Sequence, residues 1–214
     1  IVMGGLLPTC SIKHWENPAL HRYKGRICFR GDNAKDEHGK AAAYQDLSAS
    51  PAGIFDINSN IAWGCCPGNT TTASDALTAY LQALLLTLIA TWVAIPIELW
   101  PEDGSWQRKG FKNYGDERPM CKLYKALYGH PEAGGHWERL LTKSVIELGA
   151  QPIPGHKSSY WFPKHSQLLT VYVDDLLLSG PAEHQSEVWK MIRSKVDTED
   201  PEPLDRYLGR THKV

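Results

Sequence analysis

The chain lacks any charge excess: 23 Lys and Arg stand against 24 Asp and Glu, a formal net charge of -1 over 214 residues. A general basic footprint for nucleic acid is thereby excluded, and contact with a polyanion falls to local patches. The five cysteines, Cys10, Cys28, Cys65, Cys66 and Cys121, include no Cys-X-X-Cys pair, and the nine histidines show no zinc-site spacing. They read as reduced thiols in an intracellular protein. A Gly-X-Gly-X-X-Gly turn, a Walker loop and a Gly-X-Ser-X-Gly elbow are all missing, which argues against dinucleotide binding, P-loop chemistry and an α/β-hydrolase. With no charged-then-apolar leader ahead of it, the sequon at Asn69, Thr70 and Thr71 is read as chance. No internal repeat or low-complexity linker is visible.

Charge is also missing between Asp75 and Glu98, a run long enough to test as a membrane span. It holds Gln82, several threonines and Pro96, and no Lys or Arg flanks it to set an orientation. A buried helix running into a strand suits it better. The overall composition, 42% hydrophobic and 22% charged, is that of a folded globular chain of one large domain or one and a half small ones.

What is present centres on Leu168–Leu178, LLTVYVDDLLL, where Asp174 and Asp175 interrupt an apolar run. Two short buried strands joined by a tight turn fit these letters, yet the bend carries two acids and no glycine. Two carboxylates about 5 Å apart repel by roughly 3 kcal/mol at an effective dielectric near 20. A divalent cation would relieve that, and magnesium is commonly held by one or two carboxylates plus substrate phosphates. The plain alternative is a pair that ends a strand and faces water.

Residues 1–20 show no sustained period and predict irregular structure. Lys24, Arg26 and Arg30 bracket a short strand core, Ile27–Phe29, as a cationic face or as a solvated edge. Residues 41–74 predict one short helix and loops. Asp75 fits a helix N-cap ahead of Ala76–Tyr80. The clearest helix has Trp137, Leu140, Leu141, Ser144, Val145 and Leu148 on one side and ends at Gly149. A strand over Ser159–Phe162 follows, then the hairpin, then a helix beginning near Pro181 with Val188, Ile192 and Val196 on one side. This order predicts an α+β architecture, helices on one face of a mostly antiparallel sheet.

Taken in order, KGRICFRG (24–31), LSASP (47–51), DALTAY (75–80), TWVAIP (91–96), KLYKALYG (122–129), Trp137, YVDD (172–175) and LDRYLG (204–209) resemble the reverse transcriptase of copia-like LTR retrotransposons, over roughly residues 20–210. The resemblance implies a right-hand polymerase: a fingers-like region at 21–70 and a palm-like region at 71–214, with thumb and ribonuclease H absent. Asp75 matches the first catalytic aspartate, and Asp174 and Asp175 match the hairpin pair. All three would ligate two Mg2+ ions, with Mn2+ as a substitute. Tyr80 matches the aromatic beneath the incoming sugar; Lys24, Arg26 and Arg30 match fingers cations at the triphosphate.

Two departures stand out. Glu132, in HPEAGGHW, occupies the position of a glutamine near the nascent base pair, and the segment after Tyr80 is leucine-rich where acids are usual. The implied activity is RNA-directed DNA synthesis from dNTPs on a template and primer. The remainder of a polyprotein would assist, without a membrane, in the cytoplasm or in virus-like particles. The alternatives are a decayed palm-fold remnant that at most binds nucleic acid, and a metal-dependent nuclease.

Overall fold

The computed structural model describes residues 1–13, 15–44, 49–113 and 117–212. In chain order the elements are β1 (Val2–Lys13), β2 (Arg22–Phe29), β3 (Lys35–Asp36), α1 (Ile54–Gly64), β4 (Asn69–Asp75), α2 (Ala79–Gln82), β5 (Thr91–Ala94), α3 (Ser105–Arg108) and β6 (Met120–Lys122). They continue with α4 (Ala133–Glu147), β7 (Gln151–Pro152), β8 (Ser159–Phe162), β9 (Gln167–Tyr172), β10 (Asp175–Pro181), α5 (Ala182–Arg193), β11 (Glu202–Pro203), β12 (Arg206–Tyr207) and β13 (Arg210–Thr211). Contacts divide the chain into two compact units, Ile1–Leu47 with Leu84–Ala133, and Ser48–Ala83 with Gly134–Val214.

The first unit is built on a sheet of order β2-β1-β5-β6, with β3 paired to the start of β1. Val2, Phe29, Ala34, Val93 and Leu127 form its core. Residues 2–13, expected to be irregular, are a twelve-residue strand. Gly4, Gly5 and Pro8 hide it from a propensity reading. Its pairing with β2 supplies the order, and a Cβ on Gly4 would lie 2.3 Å from the Phe29 ring. The KLYKALYG block closes onto β2: Gly129, at φ 85, brings its Cα against the Phe29 carbonyl, where a Cβ would sit 2.1 Å away.

The second unit carries an antiparallel six-stranded sheet, order β11-β4-β10-β9-β8-β7. Leu176, Leu177 and Leu178 are all fully buried, so both faces of β10 are covered. Leu177 packs with Ala52, Ile57, Leu204 and Tyr207 on the α1 side. On the opposite face Tyr160 meets Thr142 of α4 (2.6 Å), and Thr72 meets Gln185 and Trp189 of α5 (2.5 and 2.7 Å). The expectation of helices on one face is therefore corrected: α4 and α5 share one face and α1 covers the other. Three consecutive leucines in one strand require this, since alternate side chains point opposite ways.

The helix predicted from the Trp137 stripe is α4, stopped by Gly149 at φ 91, and the Ser159–Phe162 strand is β8. The uncharged segment after Asp75 departs from expectation. Its helix is a single turn, α2, and Leu84, Leu86, Leu88 and Ile89 are exposed before β5 begins. Among the described residues no helix is long and apolar enough to cross a membrane. Leu47 and Ser48 of the LSASP block lie outside the described residues.

Candidate active site

The acids gather where β4 ends and β10 begins. Asp75 is the last residue of β4, not a helix cap, and it pairs directly with Asp175, the first residue of β10. Directly opposed residues of an antiparallel pair project to the same face, with Cβ atoms about 4.5–5.5 Å apart. Asp174 precedes Asp175 in the turn, and its carbonyl accepts the Ala76 amide (2.7 Å). Asp75 is held in turn by its own carbonyl, which accepts the Glu199 amide (2.8 Å).

The turn differs from its sequence reading. Tyr172 pairs with Asp175, leaving Val173 and Asp174 as its two central residues, so only one acid lies in the bend. Val173 takes the positive φ, 59°, that glycine would ordinarily take. For a β-branched residue this is a strained geometry costing about 1–3 kcal/mol. Trp137 of α4, 2% exposed, holds it there by donating its indole N–H to the Val173 carbonyl at 2.7 Å.

Electrostatics tie the cluster together. Asp175 is pushed up to about 6, first by burial, then by the charges of Asp174 and Asp75. Tyr80 is raised by burial and by Asp174. Tyr207 is raised further, by burial and then by Asp175 and Asp174, and its hydroxyl donates to the Asp175 carbonyl (3.2 Å). Tyr80, Trp137 and Val173 line one narrow cleft. A larger cleft of about 550 Å³ lies against Tyr172 and Tyr207, with Ile54, Ile57, Arg210 and His212 on its walls.

The predicted residues thus divide by unit. Asp75, Asp174, Asp175 and Tyr80 come together in the second. Lys24, Arg26, Arg30 and Glu132 belong to the first. Lys24 and Arg26 share one face of the β1–β2 ribbon; Arg30 follows β2 and pairs with Asp32 (3.3 Å). Glu132 is 3% exposed, and its charge helps burial raise the Tyr44 hydroxyl. Among the described residues no three His, Cys, Asp or Glu side chains converge as a ready metal cage.

Sequence reasoning missed Val173, Trp137 and Tyr207 as supports of the acids. Only Trp137 left a signal: an indole at the start of an amphipathic helix needs a partner for its N–H.

The three acids thus lie at one end of a sheet that is covered by helices on both faces. The family model for reverse transcriptase (RNA-dependent DNA polymerase) matches residues 105–213, half of the chain. This chain belongs to that family. The matched span contains Asp174, Asp175, Trp137 and Glu132 and stops short of Asp75. No curated protein matches the chain.

Proposed function

We infer that this chain is the RNA-directed DNA polymerase domain of a copia-like LTR retrotransposon polyprotein, joining nucleotides from dNTPs to a primer 3′-hydroxyl. The observation that carries the reading is the in-register pairing of Asp75 with Asp175 beside Asp174. It brings an acid from outside the matched span to the two within it.

Three carboxylates form the hard-oxygen donor set that divalent cations prefer. Burial and the charges of Asp174 and Asp75 raise the Asp175 carboxyl, which supports a reading in which Asp75, Asp174 and Asp175 would hold Mg2+, or Mn2+ in its place. Bound there, a pair of such ions supplies positive charge to the attacking 3′-oxygen and to the departing diphosphate. The chain's own residues orient the reactants. The Tyr80 ring lies beside Asp174, where it supports the incoming sugar and excludes a 2′-hydroxyl. By the same resemblance Lys24, Arg26 and Arg30 would supply charge to the triphosphate, and Glu132 stands at the position of a glutamine near the nascent base pair. Tyr172 and Tyr207 offer ring faces, and Arg210 and His212 offer N–H donors, to a primer strand in the cleft beside the acids. Thumb and ribonuclease H segments of the polyprotein complete the grip on the duplex.

The test is primer extension on an RNA template with Mg2+, using this chain and Asp174→Asn. Template-dependent product lost in the variant is expected. An equal rate in both would overturn the catalytic assignment. Oligonucleotide binding without product from either would leave the nucleic-acid-binding remnant as the function.

A further inference from the structure

The turn that leaves Asp75 is tied back by one side chain. After Asp75 the chain passes Ala76 and Leu77, reverses at Thr78, which takes a left-handed φ of 49°, and forms the single helical turn α2. A helix of four residues is too short to keep its shape unaided in water. Gln82, its last residue, supplies the hold. The side-chain NH2 donates to the carbonyls of Leu77 (2.7 Å) and Asp197 (2.8 Å), and the side-chain carbonyl accepts the Asp197 amide (2.8 Å). These partners fix which end of the glutamine amide is which, because the Asp197 N–H only donates and the two backbone carbonyls only accept.

The other side of the tie is the segment that follows α5. The Asp197 carbonyl also accepts the Leu77 amide (2.9 Å), and Thr198 bridges Ala76. Glu199 donates its amide to the Asp75 carbonyl (2.8 Å), and its own carbonyl accepts the Ser74 hydroxyl (2.7 Å). Residues 197–199 therefore hold Asp75 through its backbone, and Gln82 fastens α2 to the same segment. Tyr80 stands between these attachments, half-buried and within electrostatic reach of Asp174. Without the glutamine amide, α2 would be free to pivot about Thr78, while the β4–β10 pairing would still hold Asp75 beside Asp175.

We propose that Gln82 is a positioning residue for nucleotide selection, which fixes α2 against residues 197–199 and so holds the Tyr80 ring in a set place beside the acids. The proposal rests on the polymerase reading, in which Tyr80 supports the incoming sugar. A loose α2 lets the ring swing from the sugar, which weakens deoxynucleotide binding and admits a 2′-hydroxyl. The acids keep their places, so the chemical step itself is spared.

Steady-state primer extension by the whole chain with Mg2+, supplying dGTP or GTP opposite a template cytosine, compares the wild type with Gln82→Met. Methionine keeps the length of the side chain and loses all three hydrogen bonds. KM for dGTP should rise about 5-fold with kcat within about 2-fold, and the preference for dGTP over GTP in kcat/KM should fall about 10-fold. A lower kcat with KM and preference unchanged overturns the proposal, since a merely destabilised fold reduces only the active fraction. Nitration by tetranitromethane in EDTA, without substrate and read by peptide mass mapping, reports the ring apart from catalysis. Gln82→Met should speed nitration of Tyr80 about 3-fold or more. Tyr160, 3% exposed, should keep its wild-type rate. An unchanged rate at Tyr80, or an equal gain at Tyr160, overturns the proposal. No extension by the wild type, together with faster nitration of Tyr80 in the variant, would count against the polymerase reading and support the hold of Gln82 on Tyr80.

Discussion

Asp175→Asn should stabilise the metal-free protein at neutral pH and leave it unchanged in acid. The Asp175 carboxyl ionises near pH 6 in the folded chain against an ordinary 3.8, because burial and then Asp174 and Asp75 disfavour its charge. The folded state therefore binds this proton more tightly than the unfolded state. The contribution of this carboxyl to stability is therefore highest below about pH 4, falls as pH rises through about 6, and stays low above that. A difference of this size corresponds to about 3 kcal/mol, and partial access of water to the half-buried carboxyl reduces it to about 1–2 kcal/mol. Asparagine keeps the shape and has no proton to lose. Urea unfolding in EDTA at about pH 4 and about pH 7.5 reads the difference directly. The variant should match the wild type at the lower pH and exceed it by about 1–2 kcal/mol at the higher. Adding Mg2+ should raise wild-type stability more than that of the variant. Parallel profiles for the two proteins would show that the three acids do not repel one another, and the account of the cluster would fail.

Trp137→Phe removes the N–H held by the Val173 carbonyl at 2.7 Å and should cost about 1–3 kcal/mol. Primer extension should fall further than the unfolded fraction explains, and undiminished extension would show that the indole does not position the turn. Asn60, fully buried on α1, donates to the carbonyls of Leu168 and Leu177 (both 3.0 Å) and to the Thr170 hydroxyl (3.1 Å). Asn60→Ala should lower stability by about 2–3 kcal/mol in urea, and a loss under about 0.5 kcal/mol would refute its role in joining α1 to β9 and β10. Gly64→Ala would place a Cβ 1.7 Å from the Thr71 hydroxyl, an overpacking of about 1–3 kcal/mol. Thr71→Ala in the same chain should recover part of the loss in a thermal melt; no recovery would place the clash elsewhere.

Much of the second unit was legible because its periods are clean. The Trp137 stripe, the aromatic strand at 159–162 and the apolar runs around Asp174 each report one local geometry. The LLL run also reported a sheet covered on both faces, a signal outweighed by the helix-on-one-face template. The first unit was less legible, since β1 depends on a partner nine or more residues away and carries two glycines and a proline. The leucines after Tyr80 misled for a related reason. An apolar run predicts burial only if the fold offers a surface to bury it against, and Leu86 and Leu88 remain 72% and 84% exposed. Val173 was illegible in principle. Nothing in a valine signals positive φ, and the strain is borne because Trp137 and the Ala76 amide fix the peptides on either side of Asp174.

The assignment of Asp75 came from the resemblance of DALTAY (75–80) alone, since the family match begins thirty residues beyond it. What places it is register. β4 and β10 pair over seven consecutive residues, from Asn69 with Pro181 to Asp75 with Asp175. A slip of one residue would turn every β4 side chain to the other face, sending Asp75 away from Asp175 and Thr72 away from α5. Several polar contacts oppose that slip. Thr71 meets the Ser179 hydroxyl at 2.7 Å on the α1 face, while Thr72 meets Gln185 and Trp189 on the other. Threonines 71 and 72 face opposite layers, so no shifted pairing satisfies both. The plain Thr-rich stretch that said little as a sequence is thus what fixes the third acid beside the hairpin, and the chemistry inferred for Asp75 rests on hydroxyl contacts with Ser179, Gln185 and Trp189 farther along the same sheet.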